Sequence, residues 1–144
     1  MNISPNFKLD EFTSSQYAVR NGIDNTPCEV VLGNLKITAL GMEEIRVHLG
    51  VPLFITSGYR CPKLNKCVGG SKKSAHVDGY AADFIANKFG KPKTIVEKIK
   101  ELGIKYDQLI CEGTWVHISF APTLRQQTLT AEFKDGGVTY KEFV

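Results

Sequence analysis

Apolar residues recur at steps of three and four between residues 28 and 49, which is the spacing of one helix face. Gly50 and Pro52 follow the pattern and end it, so we predict one long helix despite Gly33 and Gly41 inside it. The apolar stripe of this predicted helix consists of Val31, Leu32, Leu35, Ala39, Ile45 and Leu49.

A second helical pattern spans residues 92–102, with Gly103 as its stop signal. Residues 9–12 begin a short helical or irregular segment, and 57–74 are predicted as a long polar loop, which in a compact domain is usually functional or disordered. Helices mixed with antiparallel strands in this order predict an α+β fold. The predicted strands are 53–56, 80–85, 108–112 and 115–120, and a last hairpin runs from 129 to 143 across 134–137.

The length of 144 residues corresponds to one domain, with residues 121–144 forming a C-terminal hairpin extension. Hydrophobic residues make up 42% and charged residues 23%, a composition that excludes a disordered chain or a fibre. No apolar run approaches the roughly 18 residues of a transmembrane helix. The N-terminal residues 1–8 lack the apolar core of a secretory signal, so we expect none.

The formal net charge of +3 hides an uneven distribution. Residues 60–105 contain eleven Lys and Arg against four Asp and Glu, whereas the remainder is acidic. Such a basic stretch favours an anionic partner such as a wall polymer, a nucleic acid or an acidic peptide. A set of solvated lysines explains the same surplus, and the charge alone does not decide between the two.

The four cysteines, at positions 28, 61, 67 and 111, form no CxxC pair, so no finger-type zinc site can be drawn. We expect free thiols in a reducing compartment, with a bridge between Cys61 and Cys67 as the alternative.

Two of the three histidines, His76 and His117, are candidates for chemistry together with Asp83. Asp83 lies in an otherwise apolar predicted strand, where a carboxylate is costly unless it is paired or bound to a metal. Strand alternation turns His117 away from the apolar face that holds Val116 and Ile118. Two imidazoles and one carboxylate are a sufficient protein set for a catalytic zinc, although structural hydrogen-bonded roles are the commoner alternative.

Glu112 can be placed relative to His117 by counting along the predicted hairpin. A two-residue turn at Gly113 and Thr114 pairs Glu112 with Trp115 and Ile110 with His117. Glu112 and His117 then share one face on diagonal positions about 7–8 Å apart, from which a carboxylate can reach a metal-bound water. A register slip would turn Glu112 to the other face, and a solvated role is the alternative.

The residues from Ser74 to Asp83 have the pattern SxHxxGxAxD. This pattern resembles the zinc D-Ala-D-Ala carboxypeptidase and phage L-alanyl-D-glutamate endopeptidase family, which shares the hedgehog/DD-peptidase fold. The resemblance extends over nearly the whole chain up to about Phe120 and is close to the short phage-type members. Its other matching segments are Phe12-Thr13, Ala18-Val19-Arg20, 22–25, 57–60, Leu64-Asn65, 68–71 and 115–119.

The resemblance implies a central, mainly antiparallel sheet with helices packed on it, and one Zn²⁺ bound by His76, Asp83 and His117. It implies that Arg60 anchors or polarises the substrate through its fixed fork of donors. It also implies that Ser74 hydrogen-bonds near the substrate or the metal, and we assign Trp115 to substrate binding as well. The alternatives are a structural bond to loop carbonyls for Arg60, a turn or cap role for Ser74 and a core position for Trp115.

One position departs from the family pattern. Many members carry the catalytic acid/base three residues before the last zinc histidine, and here that residue is Thr114. Glu112 resembles instead the glutamate of the short phage-type and hedgehog-like versions, and we assign it as the general base.

The expected function is that of a phage-type endolysin, a zinc peptidase that cuts a peptide bond in the stem or cross-link of peptidoglycan. A D,D-carboxypeptidase would use the same chemistry on another bond, and a non-catalytic zinc-stabilised binding or virion structural module is the alternative of another class. The expected partner is a peptidoglycan peptide, with no nucleic acid and no membrane, and the protein is expected to be a monomer. We expect it in the host cytoplasm before release to the wall, or in the virion.

Overall fold

A computed structural model describes all residues from 1 to 144 and has an α+β architecture, as predicted. A two-stranded sheet at the N-terminus precedes a six-stranded sheet that carries most of the chain. The helices are α1 (Leu9–Thr13), α2 (Gln16–Arg20), α3 (Glu29–Leu49), α4 (Pro62–Cys67), α5 (Ala75–Asp78) and α6 (Pro92–Leu102). The strands are β1 (Asn2–Ser4), β2 (Phe7–Lys8), β3 (Phe54–Ser57), β4 (Ala81–Ile85), β5 (Gln108–Cys111), β6 (Val116–Ser119), β7 (Gln127–Lys134) and β8 (Gly137–Glu142).

The large sheet has the strand order β3-β4-β6-β5-β7-β8. All neighbours are antiparallel except β5 and β7, so the sheet is mixed but mainly antiparallel, as predicted. The hairpin between β5 and β6 has the predicted register, with Ile110 opposite His117. The Glu112 amide donates to the Trp115 carbonyl at 3.0 Å and closes the turn.

One face of the sheet packs into the apolar core and the other carries polar residues. Side chains of β4 and β6 alternate, because successive residues of a strand point to opposite faces. The core-facing residues Ala82, Phe84, Val116 and Ile118 are completely buried. Asp83 and His117, directly opposite one another, therefore lie on the other face.

The long helix α3 covers the core side and begins and ends close to the predicted residues. It continues through Gly41, where a Cβ would lie within 2.7 Å of the Phe120 ring. The absence of a side chain at Gly41 therefore lets the Phe120 ring pack against the helix. Gly50 has a φ of 68° and ends the helix in the left-handed conformation. None of the helices has the length and apolarity needed to cross a membrane.

The predicted long polar loop at 57–74 is wrong in its middle, because α4 occupies residues 62–67. Pro62 is at the first turn of α4, and the Cys61 sulfur accepts from the Leu64 amide at 3.5 Å, so the helix has local start signals. A six-residue helix is too short to show an apolar period, which is why the pattern missed it. All four cysteines are free thiols.

Candidate active site

His76, Asp83 and His117 meet on the polar face of the sheet. Pairing of β4 with β6 places Asp83 beside His117, and α5 brings His76 from outside the sheet. The Asp83 Oδ1 atom lies 2.9 Å from His117 Nδ1 and 3.2 Å from His76 Nε2. The ligand atoms of the three residues all lie within 4.8 Å of one another, which is close enough for one metal ion to contact them together.

The orientation of His76 is fixed by a backbone carbonyl. Its Nδ1 atom lies 2.6 Å from the Gly58 oxygen, and because a carbonyl only accepts, Nδ1 carries the proton. Burial lowers the pKa of His76 despite its contact with Asp83, so the ring is neutral at neutral pH. The lone pair of Nε2 is therefore directed at Asp83.

The cluster needs a cation. Burial opposes ionisation of Asp83, but the hydrogen bond from His117 and the proximity of both imidazoles outweigh it and hold the pKa of this carboxyl well below its usual range. A carboxylate oxygen then faces the Nε2 lone pair, and two acceptors in contact are stable only with a proton or a metal between them. Two imidazole nitrogens and one carboxylate are also the donor types that zinc takes in open catalytic sites. The residues present therefore fit a zinc ion.

The short helix α5 is held at both ends, which fixes the position of His76. The Ser74 hydroxyl accepts from the His76 amide at 3.2 Å and caps the helix start. Gly79 ends it with a φ of 82°, and a Cβ there would lie 3.0 Å from the Val31 carbonyl oxygen. The Thr38 hydroxyl donates to the Gly79 carbonyl at 2.7 Å and ties this end to α3.

Glu112 lies in the same cleft as the cluster. The cleft has a volume of about 860 Å³ and is lined by all three cluster residues together with Glu112 and Trp115. The pKa of Glu112 is raised above its usual value, mainly by burial. The charge of His117 opposes this shift, and the charge of Asp83 adds to it. A carboxyl with a raised pKa beside a candidate metal site has the properties of a general base.

The sequence model of one protein family, described as peptidase M15, matches residues 5–119. That range includes all three cluster residues and Glu112. The chain belongs to the peptidase M15 family. Members of this family are zinc peptidases, in agreement with the donor set of the cluster. No curated protein sequence matches the chain.

Arg60 lies within the M15 match and also lines the cleft. Its Nε atom is buried without a hydrogen-bond partner, so this guanidinium has a free donor. Burial lowers the pKa of Arg60, and the nearby Asp83 carboxylate raises it in part. An incompletely satisfied guanidinium in a cleft is suited to bind a carboxylate or a carbonyl oxygen of a ligand.

The loop that carries Arg60 is clamped by Asn25. The Asn25 amide donates to the Thr13 and Tyr59 carbonyls, both at 2.9 Å, and its oxygen accepts from the Cys61 amide at 2.8 Å. This M15 chain therefore uses one side chain, that of Asn25, to shape the loop that carries Arg60.

Three residues at the site were not predicted from the sequence: Gly58, Asn25 and Tyr140. The carbonyl of Gly58 acts through its backbone, which no residue pattern reveals. Asn25 belongs to a segment that resembles phage-type members, and that resemblance was the only available signal. Tyr140 lines the cleft from β8, outside the M15 match, and its position depends on a strand pairing that the sequence does not indicate.

Proposed function

We propose that this M15 protein is a zinc peptidase that hydrolyses a peptide bond in the stem or cross-link peptides of bacterial peptidoglycan, as a phage-type endolysin does. The observation that carries the proposal is the cluster of His76, Asp83 and His117 in one cleft with the half-buried carboxyl of Glu112. A binding module would have no need of a base at that position.

Each residue has a separate role in the proposed reaction. His76, Asp83 and His117 would hold the zinc, which when bound polarises the scissile carbonyl and acidifies a water molecule. Glu112 takes a proton from the attacking water and passes it to the nitrogen of the leaving amine as the C–N bond breaks. Its raised pKa favours both steps, because the carboxylate must gain a proton and lose it again.

Arg60, Ser74 and Trp115 are assigned to substrate binding. All three line the cleft. Arg60 offers the donors of its guanidinium to a carboxylate or to the scissile carbonyl of the peptide. The Ser74 hydroxyl already accepts from the His76 amide, so its contact with substrate would use its own proton.

The biological setting follows from the same proposal. Lys73 and Arg60 both line the cleft, and the basic stretch of residues 60–105 suits an anionic wall polymer. We propose that the protein acts as a monomer on the wall, after synthesis in a host cytoplasm or delivery by a virion.

The experiment that tests the function is digestion of purified peptidoglycan by the zinc-loaded protein, with the products identified by mass spectrometry. The expected result is loss of wall turbidity with new peptide ends. An endopeptidase releases peptides, whereas a D,D-carboxypeptidase releases a single terminal D-alanine. The Glu112→Gln variant should bind zinc but be slower by roughly a hundredfold or more. The matched Glu97→Gln variant, at an exposed position on α6, should retain full activity.

Absence of products from any wall with the fully zinc-loaded protein would favour a non-catalytic module of the same fold. Wild-type rates for Glu112→Gln would remove the base assignment.

A further inference from the structure

The C-terminal hairpin places a tyrosine next to the candidate base. The register of β5 with β7 pairs Cys111 with Thr130, so the following residue, Glu112, lies beside Ala131. The register of β7 with β8 pairs Ala131 with Tyr140. Glu112, Ala131 and Tyr140 therefore form one row across the sheet, on the face that carries His117.

The middle of this row is small, which lets its two ends meet. Glu112 and Tyr140 are two strands apart, or about 10 Å between backbones. The Ala131 side chain rises only one carbon above the sheet, so it leaves the space over β7 to the longer side chains on either side. Ala131 is nevertheless only 8% exposed, which shows that its neighbours cover it.

The two side chains are electrostatically coupled, because the pKa of each depends on the other. Burial raises the pKa of Tyr140, and the charge of the Glu112 carboxylate raises it further. Tyr140 in turn lowers the pKa of Glu112, although burial raises that pKa by more. The titratable groups that face Glu112 are His117 and Asp83 from the central strands and Tyr140 from β8. Both Glu112 and Tyr140 line the cleft.

We propose that Tyr140 is a positioning residue for Glu112: its hydroxyl donates to one carboxylate oxygen and leaves the other directed toward His117. The inference rests on the proposed function, since that function assigns Glu112 as the base. Tyr140 lies beyond residue 119, where the M15 match ends, so the family match does not assign it. The hairpin thereby completes the active site of the M15 domain.

The test is the Tyr140→Phe variant, which keeps the ring and removes the hydroxyl. The expected result is a kcat lower by roughly tenfold with KM and zinc content unchanged. The acid limb of the kcat profile should move to higher pH, because the carboxylate loses a donor that stabilised its charged form.

Two further variants serve as references. Tyr17→Phe removes the hydroxyl of an exposed tyrosine on α2 and should leave every parameter at the wild-type value. Val138→Ala trims a neighbouring cleft side chain on the same face of β8, so it should raise KM without moving the pH profile. A Tyr140→Phe variant with wild-type kcat, or with a raised KM alone, would overturn the proposal.

A measurement without turnover separates this inference from the proposed function. The Glu112 carboxyl can be titrated by NMR in the zinc-loaded protein, with the signal assigned by its loss in Glu112→Gln. Tyr140→Phe should shift that titration upward even if no wall is cut, in which case the function fails and the contact stands. An unchanged titration in a protein that does hydrolyse peptidoglycan would reject the contact alone.

Discussion

Replacing Gly58 by alanine should weaken metal binding although Gly58 contributes no side chain to the site. A Cβ at this position would lie 2.7 Å from the Phe12 Cα and 2.9 Å from its carbonyl carbon. These are backbone atoms of α1, which cannot rotate away as a side chain would. The Gly58 backbone itself must therefore move, and its carbonyl is the group that orients His76.

The magnitude follows from these two contacts. Overpacking against a fixed backbone costs about 1–3 kcal/mol of stability. Loss of the hydrogen bond that orients a ligating histidine lowers metal affinity by about 10–100-fold. That range corresponds to about 1.4–2.8 kcal/mol of binding free energy.

Two assays separate the effects. Competition with a chromophoric chelator reports the zinc affinity, and thermal unfolding of the metal-free protein reports the packing strain. Gly33→Ala is the matched control, because it lies in α3 with no atom within 4 Å of its Cβ. That control should gain about 0.5–1 kcal/mol in stability and keep its zinc affinity. Wild-type zinc affinity in a folded Gly58→Ala protein would refute the orienting role of this carbonyl.

Three other substitutions have defined outcomes. Arg125 and Thr123 bind the Asp107 carboxylate and hold its pKa at about 2 instead of 3.8. Asp107→Asn should therefore lower the free energy of unfolding by about 2 kcal/mol at pH 7. The variant should also lack the loss of stability that the wild type shows as the pH falls from about 4 to 2, which urea unfolding across that range measures. Ser74→Ala should cost about 1 kcal/mol in unfolding free energy, with recovery in Ser74→Asp, because the side chain caps α5; equal stability of all three proteins would contradict the capping role. Arg60→Lys should lower kcat/KM by roughly tenfold and leave the zinc affinity unchanged, and a loss of zinc would contradict a role limited to substrate.

Strand alternation and the length of one turn were sufficient to predict the positions of the site residues that lie on neighbouring strands. Alternation along β6 turned His117 away from the core, and the two-residue turn fixed Glu112 relative to it. Both inferences use a period of two and a short connection, which sequence reveals directly. The same alternation separated Asp83 from the apolar residues of β4.

His76 required the family resemblance. It lies in a four-residue helix that has no apolar period, and its ring is oriented by a carbonyl 18 residues earlier in the chain. The spacing of a motif can indicate such a residue, but its orientation depends on packing between distant segments.

The position of Tyr140 could not be predicted from local sequence patterns. The hairpin of β7 and β8 was predicted from its turn, yet nothing within it indicates that β7 pairs in parallel with β5. That pairing is a long-range contact, and only together with it does the hairpin bring Tyr140 to Glu112. Residues placed by such pairings can be found only once the sheet order is known.

The most direct test of the account is analysis of the muropeptides released from purified peptidoglycan by the protein loaded with one zinc ion. The account predicts products in which one stem or cross-link peptide bond has gained a water molecule, and it predicts their absence with Glu112→Gln at equal zinc content. An intact peptide network after incubation with the fully zinc-loaded wild type would contradict it.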